Sequence, residues 1–466
     1  MRAILALALC STALAQEPYR PLVHFSPQKN WTNDPNGLVY FEGEYHLFFQ
    51  YNPSGDQWGH MSWGHAVSTD LVHWRELPVA IPEENGIMIF TGSVVVDRAN
   101  SSGFCTRGKA CMVAIYTGHQ DKLQTQNIAF SNDRGRTWTK FAGNPVLDLH
   151  MSDFRDPNVL WHEASKRWIM AVSLPNDHTV AFYGSANLKQ WTRLSEFGPS
   201  GATGGQWECP DLFELPLDGK AANMRWVLKV GINPGAVAGG SGEQYFVGQF
   251  DGTRFVDQNP GQTLWADYGK DCYCGLTFNN SPKPTLLAWM SNWQYADKLP
   301  THPWRGQMTI PRELSLRKFP EGVRLVQTPV PLPRGGRVTG DGDIPITTRA
   351  SLIHVRVDAN AGWKLIFPNG AFAEIGYDSL RQEIFVDRTH AGDIGKDFPA
   401  RTAAPLTIAG PLVLEILIDG DSIEVFAGGG RIVLTNLVFG GVPQRLASFS
   451  RGGTQRTFPW QLWPIQ

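Results

Sequence analysis

One short pattern recurs along the chain and limits its architecture more than any other feature. Ser, any residue, Asp or Asn, a short gap and then Trp appear as STDLVHW (68–74), SNDRGRTW (131–138) and SANLKQW (185–191), with DGTRF (251–255) as a degenerate fourth copy. The Asp or Asn falls at 70, 133, 187 and 251, giving steps of 63, 54 and 64 residues. Each copy follows an apolar run such as SWGHAV or TVAFYG, so it reads as a strand, an Asx turn and a strand that opens on an aromatic. A period of this length made of strands and turns matches one four-stranded propeller blade. A second series is interleaved with the first: Asp34-Pro35, Phe90-Thr91-Gly92, Asp156-Pro157, Glu208-Cys209-Pro210 and Asp271. Five such points predict an all-β chain whose five-bladed β-propeller occupies 16–327.

The texture changes after this region. TPVPLPRGGRVTGDGDIP (328–345) is rich in Pro and Gly and reads as a linker. Short alternating strands follow, with a hairpin signal at Asp419-Gly420, and predict a C-terminal β-sandwich over 346–466. No catalytic constellation is visible there, and Glu424 reads as a surface residue. At the other end, Arg2, the apolar AILALAL and the small residues Ala13 to Ala15 read as a signal peptide over 1–15, so the protein is expected to be secreted. That apolar run is too short to span a bilayer, and no later run is longer. A net charge of −2 without a basic stripe argues against nucleic acid and membrane surfaces as partners. Oligomeric state is not legible.

Removing Cys10 with the leader leaves five cysteines, so at least one lacks an intrachain partner. Cys105 and Cys111 can close a small loop. Cys272 and Cys274 alternate on a strand, which suits burial better than pairing. Cys209 reads as a small buried residue. No zinc-ligand spacing, phosphate loop or dinucleotide fingerprint is present, so neither metal nor cofactor is expected.

In a propeller the inner strands converge on the axis. Asp34, Asp156 and Glu208 occupy corresponding points of three blades, each with a proline beside or near it. Asp-Pro and Asn-Gly are turn chemistry, so NDPNG (33–37) reads as a turn, with Gly37 allowing it and Pro35 restricting Asp34. Three carboxyls that only capped turns would still repel one another near an axis. The crowding sets their pKa values apart, as a glycosidase needs for an acid and a nucleophile. Trp58, Trp63, Trp293 and Phe90 are available to stack on sugar rings, although aromatics of a β protein more often fill its core.

WTNDPNG, QYNP, WGHMSWGHAVSTDLVHW, FTGS, FRDPNV, WECPD and DYGKDCY together, in this order, resemble the signature blocks of glycoside hydrolase family 32, the β-fructofuranosidases. GSGEQYFVGQFDGTRF and MSNWQYADKLPTHPWRGQMTIPREL are most similar to the exo-acting inulinases and levanases. The resemblance implies that Asp34 is the nucleophile, Glu208 the acid/base and Asp156 the transition-state stabiliser. It places Asn33, Gln50, Trp58, Phe90, Thr91 and Arg155 around a fructosyl pocket, with Asp267 and Trp293 nearer the leaving-group side or rim. It implies a retaining exo-β-fructosidase acting on inulin, levan or sucrose. The alternatives are a fructosyltransferase with the same triad, a fructan-binding protein without turnover, and an inverting arabinan or xylan hydrolase. Thr32, Thr91 and the cysteines of KDCYC depart from the usual blocks without touching the three carboxyls.

Overall fold

A computed structural model describes residues 17–357, 361–408, 410–450 and 458–466. The expected leader lies outside the described residues.

Five sheets follow one another along the chain. The first contains Asn30–Phe41, Glu44–Asn52, Ser62–Ser68 and Arg75–Ile81, with Trp304–Arg305 added in parallel on its inner edge. The other four open with the inner strands Met88–Asp97, Arg155–His162, Gln206–Pro216 and Tyr273–Thr277. Each inner strand packs against that of the next sheet, and the fifth returns to the first, closing the propeller ring.

The recurring Ser/Asx/Trp pattern is the corner between the third and fourth strands of a blade. Leu71 N donates to Ser68 Oγ at 2.8 Å, His73 N to Asp70 Oδ1 at 2.8 Å, and Trp74 Nε1 to Leu71 O at 3.1 Å. The Asx and indole bonds recur at Asp133/Trp138 and Asn187/Trp191; Ser131 Oγ accepts from Gly135 N, and Ser185 Oγ from Asn187 N as Ser68 Oγ also does from Asp70 N. Asp251 accepts from Thr253 N and Arg254 N in the degenerate copy. The hydroxyl and carboxylate satisfy the turning backbone while the indole folds back over it, so one short motif encodes a whole corner.

NDPNG forms no turn. It lies inside the twelve-residue strand Asn30–Phe41, whose pairing shifts register between Thr32 and Pro35 and again between Asn36 and Val39. All five inner strands carry such an irregularity, at Asn33/Asp34, Phe90/Thr91, Asp156/Pro157, Cys209/Pro210 and Cys274/Gly275. A bulge places two residues opposite one and re-aims the side chains at that level. Turn-forming residues are absorbed here because an inner strand uses only one edge for its own sheet. The missing proline N–H therefore costs no ladder bond. Gly37 has φ +52, and a Cβ there would lie 2.7 Å from Val94 Cγ2.

The sandwich has two six-stranded sheets. Its first and second strands in sequence, Val338–Asp341 and Ile344–Pro345, come from the segment expected to be a linker. They pair with Pro459–Pro464 and Arg445–Ser450, so 338–345 belongs to the sandwich. The two domains share a core in which Trp31, Phe49, Tyr273 and Trp289 cluster with Leu352, Leu417, Phe426 and Val433. A polar seam runs beside it. Asp419 accepts from Leu22 N, Val23 N and His24 Nδ1, and Arg388 joins Asp271 and Tyr295.

Candidate active site

The bulges of the first three blades, with Glu208 beside the fourth, open on one cavity of about 330 Å3. Its lining includes Asn33, Asp34, Gln50, Trp58, Phe90, Thr91, Arg155, Asp156, Glu208 and Trp293. Ten of the eleven residues expected at the site are therefore brought together. Asp267 is the exception. It is buried in the domain seam, where its carboxylate accepts from Arg312 Nη1 at 3.0 Å, Thr435 N at 2.9 Å and Gly269 N at 2.7 Å. Such saturation leaves it nothing to offer a ligand. Glu424 is also buried in this seam, bonded to Arg312 Nη2 at 2.9 Å, and is not a surface residue.

Asp34 sits at the bulge of the first blade, 9% exposed. Thr91 Oγ1, from the bulge of the second blade, donates to its Oδ2 at 2.7 Å. Asp34 Oδ1 has no partner among the described residues. Burial pushes this carboxyl up, the Thr91 bond resists the rise, and repulsion from Glu208 adds to it; the result is about 6. Asp34 is thus mostly ionised near neutral pH and becomes protonated as pH falls below that value.

Asp156 is held in the left-handed region at φ 67, which Asp tolerates better than most residues. Its N–H donates to Thr117 Oγ1 at 3.0 Å, and its Oδ2 accepts from Cys209 N at 2.9 Å. Two adjoining bulges thereby fix its direction. Burial and the negative charge of Glu208 raise this carboxyl to about 8, against the pull of Arg155. Protons are shared across such a cluster, so its titration belongs to the group as a whole.

Glu208 has two anchors. Arg155 Nε donates to Oε1 at 2.8 Å, and the Tyr273 hydroxyl bonds Oε2. Arg155 is itself fixed by Asp153 at 2.8 Å and Gln206 at 2.9 Å. Burial alone would lower the guanidinium pKa, but the charges of Glu208 and Asp156 raise it, so it stays cationic. An ionised carboxylate opposite an anchored, pocket-facing glutamate is the equipment for nucleophilic attack at a sugar carbon with proton delivery to the leaving oxygen.

Around this triad, Trp31 Nε1 donates to Asn33 Oδ1 at 2.8 Å, and Gln50 Nε2 to Ile89 O at 2.9 Å. Trp58 is 47% exposed at the mouth, edge-on to Phe90, and Phe90 stacks on His119 at 4.6 Å. Trp293 packs against Trp31 and Trp289. Trp63 is fully buried and serves the core. The residues that sequence reasoning missed are His119, Gln124, Asp153, Asn233 and Tyr273. Tyr273 lies in the quoted KDCYC block, two positions after Asp271. The fifth bulge falls at Cys274/Gly275, whereas Asp271 is spent on Arg388 in the seam.

Cys105 pairs with Cys111, as their spacing allowed. Cys209 pairs with Cys274, contrary to expectation, because both sit on bulges that face each other across two blades; Cys272 is free and buried. Asp34, Cys209 and Cys274 bring three potential metal-ligand atoms together, but the two sulfurs are spent on each other.

The family model for the glycosyl hydrolases family 32 N-terminal domain matches residues 24–329, and the model for its C-terminal domain matches 350–464. A levanase of Bacillus subtilis is 46% identical over 454 residues, covering 91% of this chain and 66% of its own length. An extracellular exo-inulinase of Aspergillus awamori is 42% identical, covering 94% of this chain and 93% of its own. The crystal structure of the Aspergillus awamori exo-inulinase superposes with a TM-score of 0.89 at 38% identity, over 97% of this chain and 99% of that one. The β-fructofuranosidase of Schwanniomyces occidentalis complexed with fructosyl-erythritol gives 0.90 at 36% identity, over 96% and 98%.

Proposed function

The chain belongs to glycosyl hydrolases family 32, and from that premise we propose that it removes terminal β-fructofuranosyl units from fructans and sucrose, with retention at the anomeric carbon. It is a glycoside hydrolase of the β-fructosidase class. The observation that carries the mechanism is the convergence of Asp34, Asp156 and Glu208 on one pocket, with Arg155 and Tyr273 on Glu208.

Asp34 attacks the anomeric carbon and forms a covalent fructosyl-enzyme. Glu208 protonates the departing glycosidic oxygen, then takes a proton from water as that water releases fructose. Asp156, fixed by Cys209 N, receives fructosyl hydroxyls beside the reacting carbon. Trp58, Phe90 and Trp293 offer ring faces to the substrate.

A pocket walled by the inner strands of four blades and rimmed by Trp58 and Trp293 favours one chain end over the middle of a polymer, which supports exo attack. The exo-inulinase relative is described as extracellular, and no described helix is long and apolar enough to cross a membrane. Export through the 1–15 leader fits both. Chromatography of early digests of inulin, levan and sucrose tests the reading. Fructose as the only early fructan product supports it. A ladder of oligosaccharides at low conversion would overturn exo attack, and kestose-type products accumulating from concentrated sucrose would move the reading to transfer.

A further inference from the structure

Cys209 stands against all three carboxyl residues. Its N–H bonds Asp156, its chain neighbour is Glu208, and its sulfur lies 3.8 Å from Asp34 Oδ2. That sulfur is joined to Cys274, the neighbour of Tyr273, across a Cα–Cα distance of 5.2 Å. Both cysteines have φ 49 and are at most 1% exposed. The inner strands of the fourth and fifth blades belong to separate sheets, so no ladder bond ties the two bulges. The disulfide is the covalent tie between them, beside hydrogen bonds from Tyr273 to Glu208, from Gly275 N to Glu243 and from Thr277 to Asp211.

We propose that the Cys209–Cys274 disulfide is a positioning element of the active site, which holds the Tyr273 hydroxyl on Glu208 and withdraws the thiol that lies within hydrogen-bond reach of Asp34. The inference rests on the glycosidase reading of the site. The first effect is geometric. Tyr273 can stay on Glu208 only while the fifth bulge keeps its distance from the fourth, and catalytic groups lose rate steeply when such distances drift. The second effect is electrostatic. A sulfur in a disulfide has no proton, so Cys209 cannot donate to Asp34. A free Cys209 thiol would become a weak S–H donor to that carboxylate and favour its ionised form.

The groups around Asp34 are Asn33 on its own strand, Thr91 on the second blade, Asp156 on the third, Glu208 and Cys209 on the fourth, and Tyr273 and Cys274 on the fifth, while His119, Asp153 and Arg155 line the same pocket. Only the cysteines change their hydrogen-bonding capacity when the cross-link opens. The two halves of the bridge are therefore distinguishable. Cys274→Ala removes the cross-link and leaves a thiol on Asp34. Cys209→Ala removes the cross-link and the thiol within hydrogen-bond reach of Asp34, leaving only the Cys274 sulfur, which lies within 4.8 Å of that carboxylate but makes no hydrogen bond to it.

The experiment begins with non-reducing peptide mapping, which should recover a 209–274 cross-linked pair. kcat and KM for sucrose are then measured against pH for the wild type, Cys274→Ala, Cys209→Ala and, as a control at the other disulfide, Cys111→Ser. Both cross-link variants should lose about tenfold in kcat with KM within about twofold. The acidic limb of kcat/KM should move down by about half a pH unit in Cys274→Ala and not in Cys209→Ala. Wild-type enzyme treated with dithiothreitol, which becomes its cyclic disulfide as the bridge opens to two thiols, should reproduce Cys274→Ala without any question of folding. Cys111→Ser should follow the wild type. Unchanged kcat in both cross-link variants and in the reduced enzyme, or acidic limbs that move together, would overturn the inference while leaving an active glycosidase. A wild type that cleaves no fructan or sucrose at any pH would refute the glycosidase reading itself, and the inference with it.

Discussion

Arg312→Met tests whether the sandwich is welded to the propeller by charge as well as by apolar packing. The Arg312 side chain is fully buried. Its Nη1 donates to Asp267 and to Gln327 Oε1, each at 3.0 Å, and its Nη2 to Glu424 at 2.9 Å and Thr435 Oγ1 at 2.6 Å. Methionine keeps much of the volume and removes the charge. Two buried carboxylates then lose their guanidinium. Asp267 keeps Thr435 N, Thr435 Oγ1 and Gly269 N, and Glu424 keeps only Ile310 N and a distant His24. Breaking one partner from a buried pair costs about 3–5 kcal/mol, and here two acceptors are stranded, so about 4 kcal/mol is expected. That is roughly a thousandfold in the folded-to-unfolded ratio. Urea unfolding followed by tryptophan fluorescence reads it, alongside the triple variant Arg312→Met/Asp267→Asn/Glu424→Gln, which should recover most of the loss. The pH dependence has a definite sign. Burial alone would raise the Glu424 carboxyl, but Arg312 and His24 more than offset this and hold it below its ordinary value. Its stabilising contribution is present above the unfolded value near ~4.3 and is lost as pH falls through the lower folded value. The gap between wild type and Arg312→Met should therefore narrow in acid. None of these residues lines the pocket, so sucrose turnover at 25 °C should stay within about twofold. A loss below about 1 kcal/mol, or a gap that widens in acid, would refute the reasoning.

Asp34→Ala, Asp156→Ala and Glu208→Ala should each lower kcat by about a thousandfold or more while leaving circular dichroism unchanged; a drop under about tenfold at any one would remove it from the triad. Tyr273→Phe should cost about tenfold in kcat through Glu208, with KM little altered, and wild-type kinetics in that variant would deny the contact any role. Because Asp34 must be ionised to attack and its carboxyl sits at about 6, kcat/KM should fall as pH drops below that point; an acidic limb centred near 4 would contradict the burial argument. Secreted protein should begin at or near Gln16, and an intact Met1 on extracellular material would end the leader reading.

What the sequence shows about this fold is local chemistry repeated. The Ser/Asx/Trp corner is legible because its hydrogen bonds lie within about six residues, so the pattern and the structure are nearly the same object. Blade number follows from the five points of the interleaved series, with the corners setting the period. The triad is legible for a related reason: a bulge that presents a carboxylate needs a backbone-restricting neighbour, and Pro35, Pro157 and Pro210 mark three of the five. The same residues are misleading as to form. Asp-Pro and Asn-Gly signal a turn in isolation, and only a strand that uses one edge for its sheet converts them into bulges.

The errors share one physical origin. Asp267, Asp271 and Glu424 are charged, which suggests solvent or substrate. Their partners are Arg312 and Arg388, together with Thr435 on the facing domain. Arg312 is 45 residues from Asp267 and 112 from Glu424, and Arg388 is 117 from Asp271. Pairing at that range is invisible to spacing. The Cys209–Cys274 bridge, 65 residues apart, is hidden for the same reason. Strand alternation at Cys272 and Cys274 shows that they point to opposite faces, but not that one face meets the fourth blade. A blade-to-blade register would have disclosed it. Once Tyr273-Cys274 is taken as the fifth counterpart of Glu208-Cys209, the two cysteines occupy matching positions on adjacent blades. The pairing then follows from the same five-fold geometry that gathers the acids.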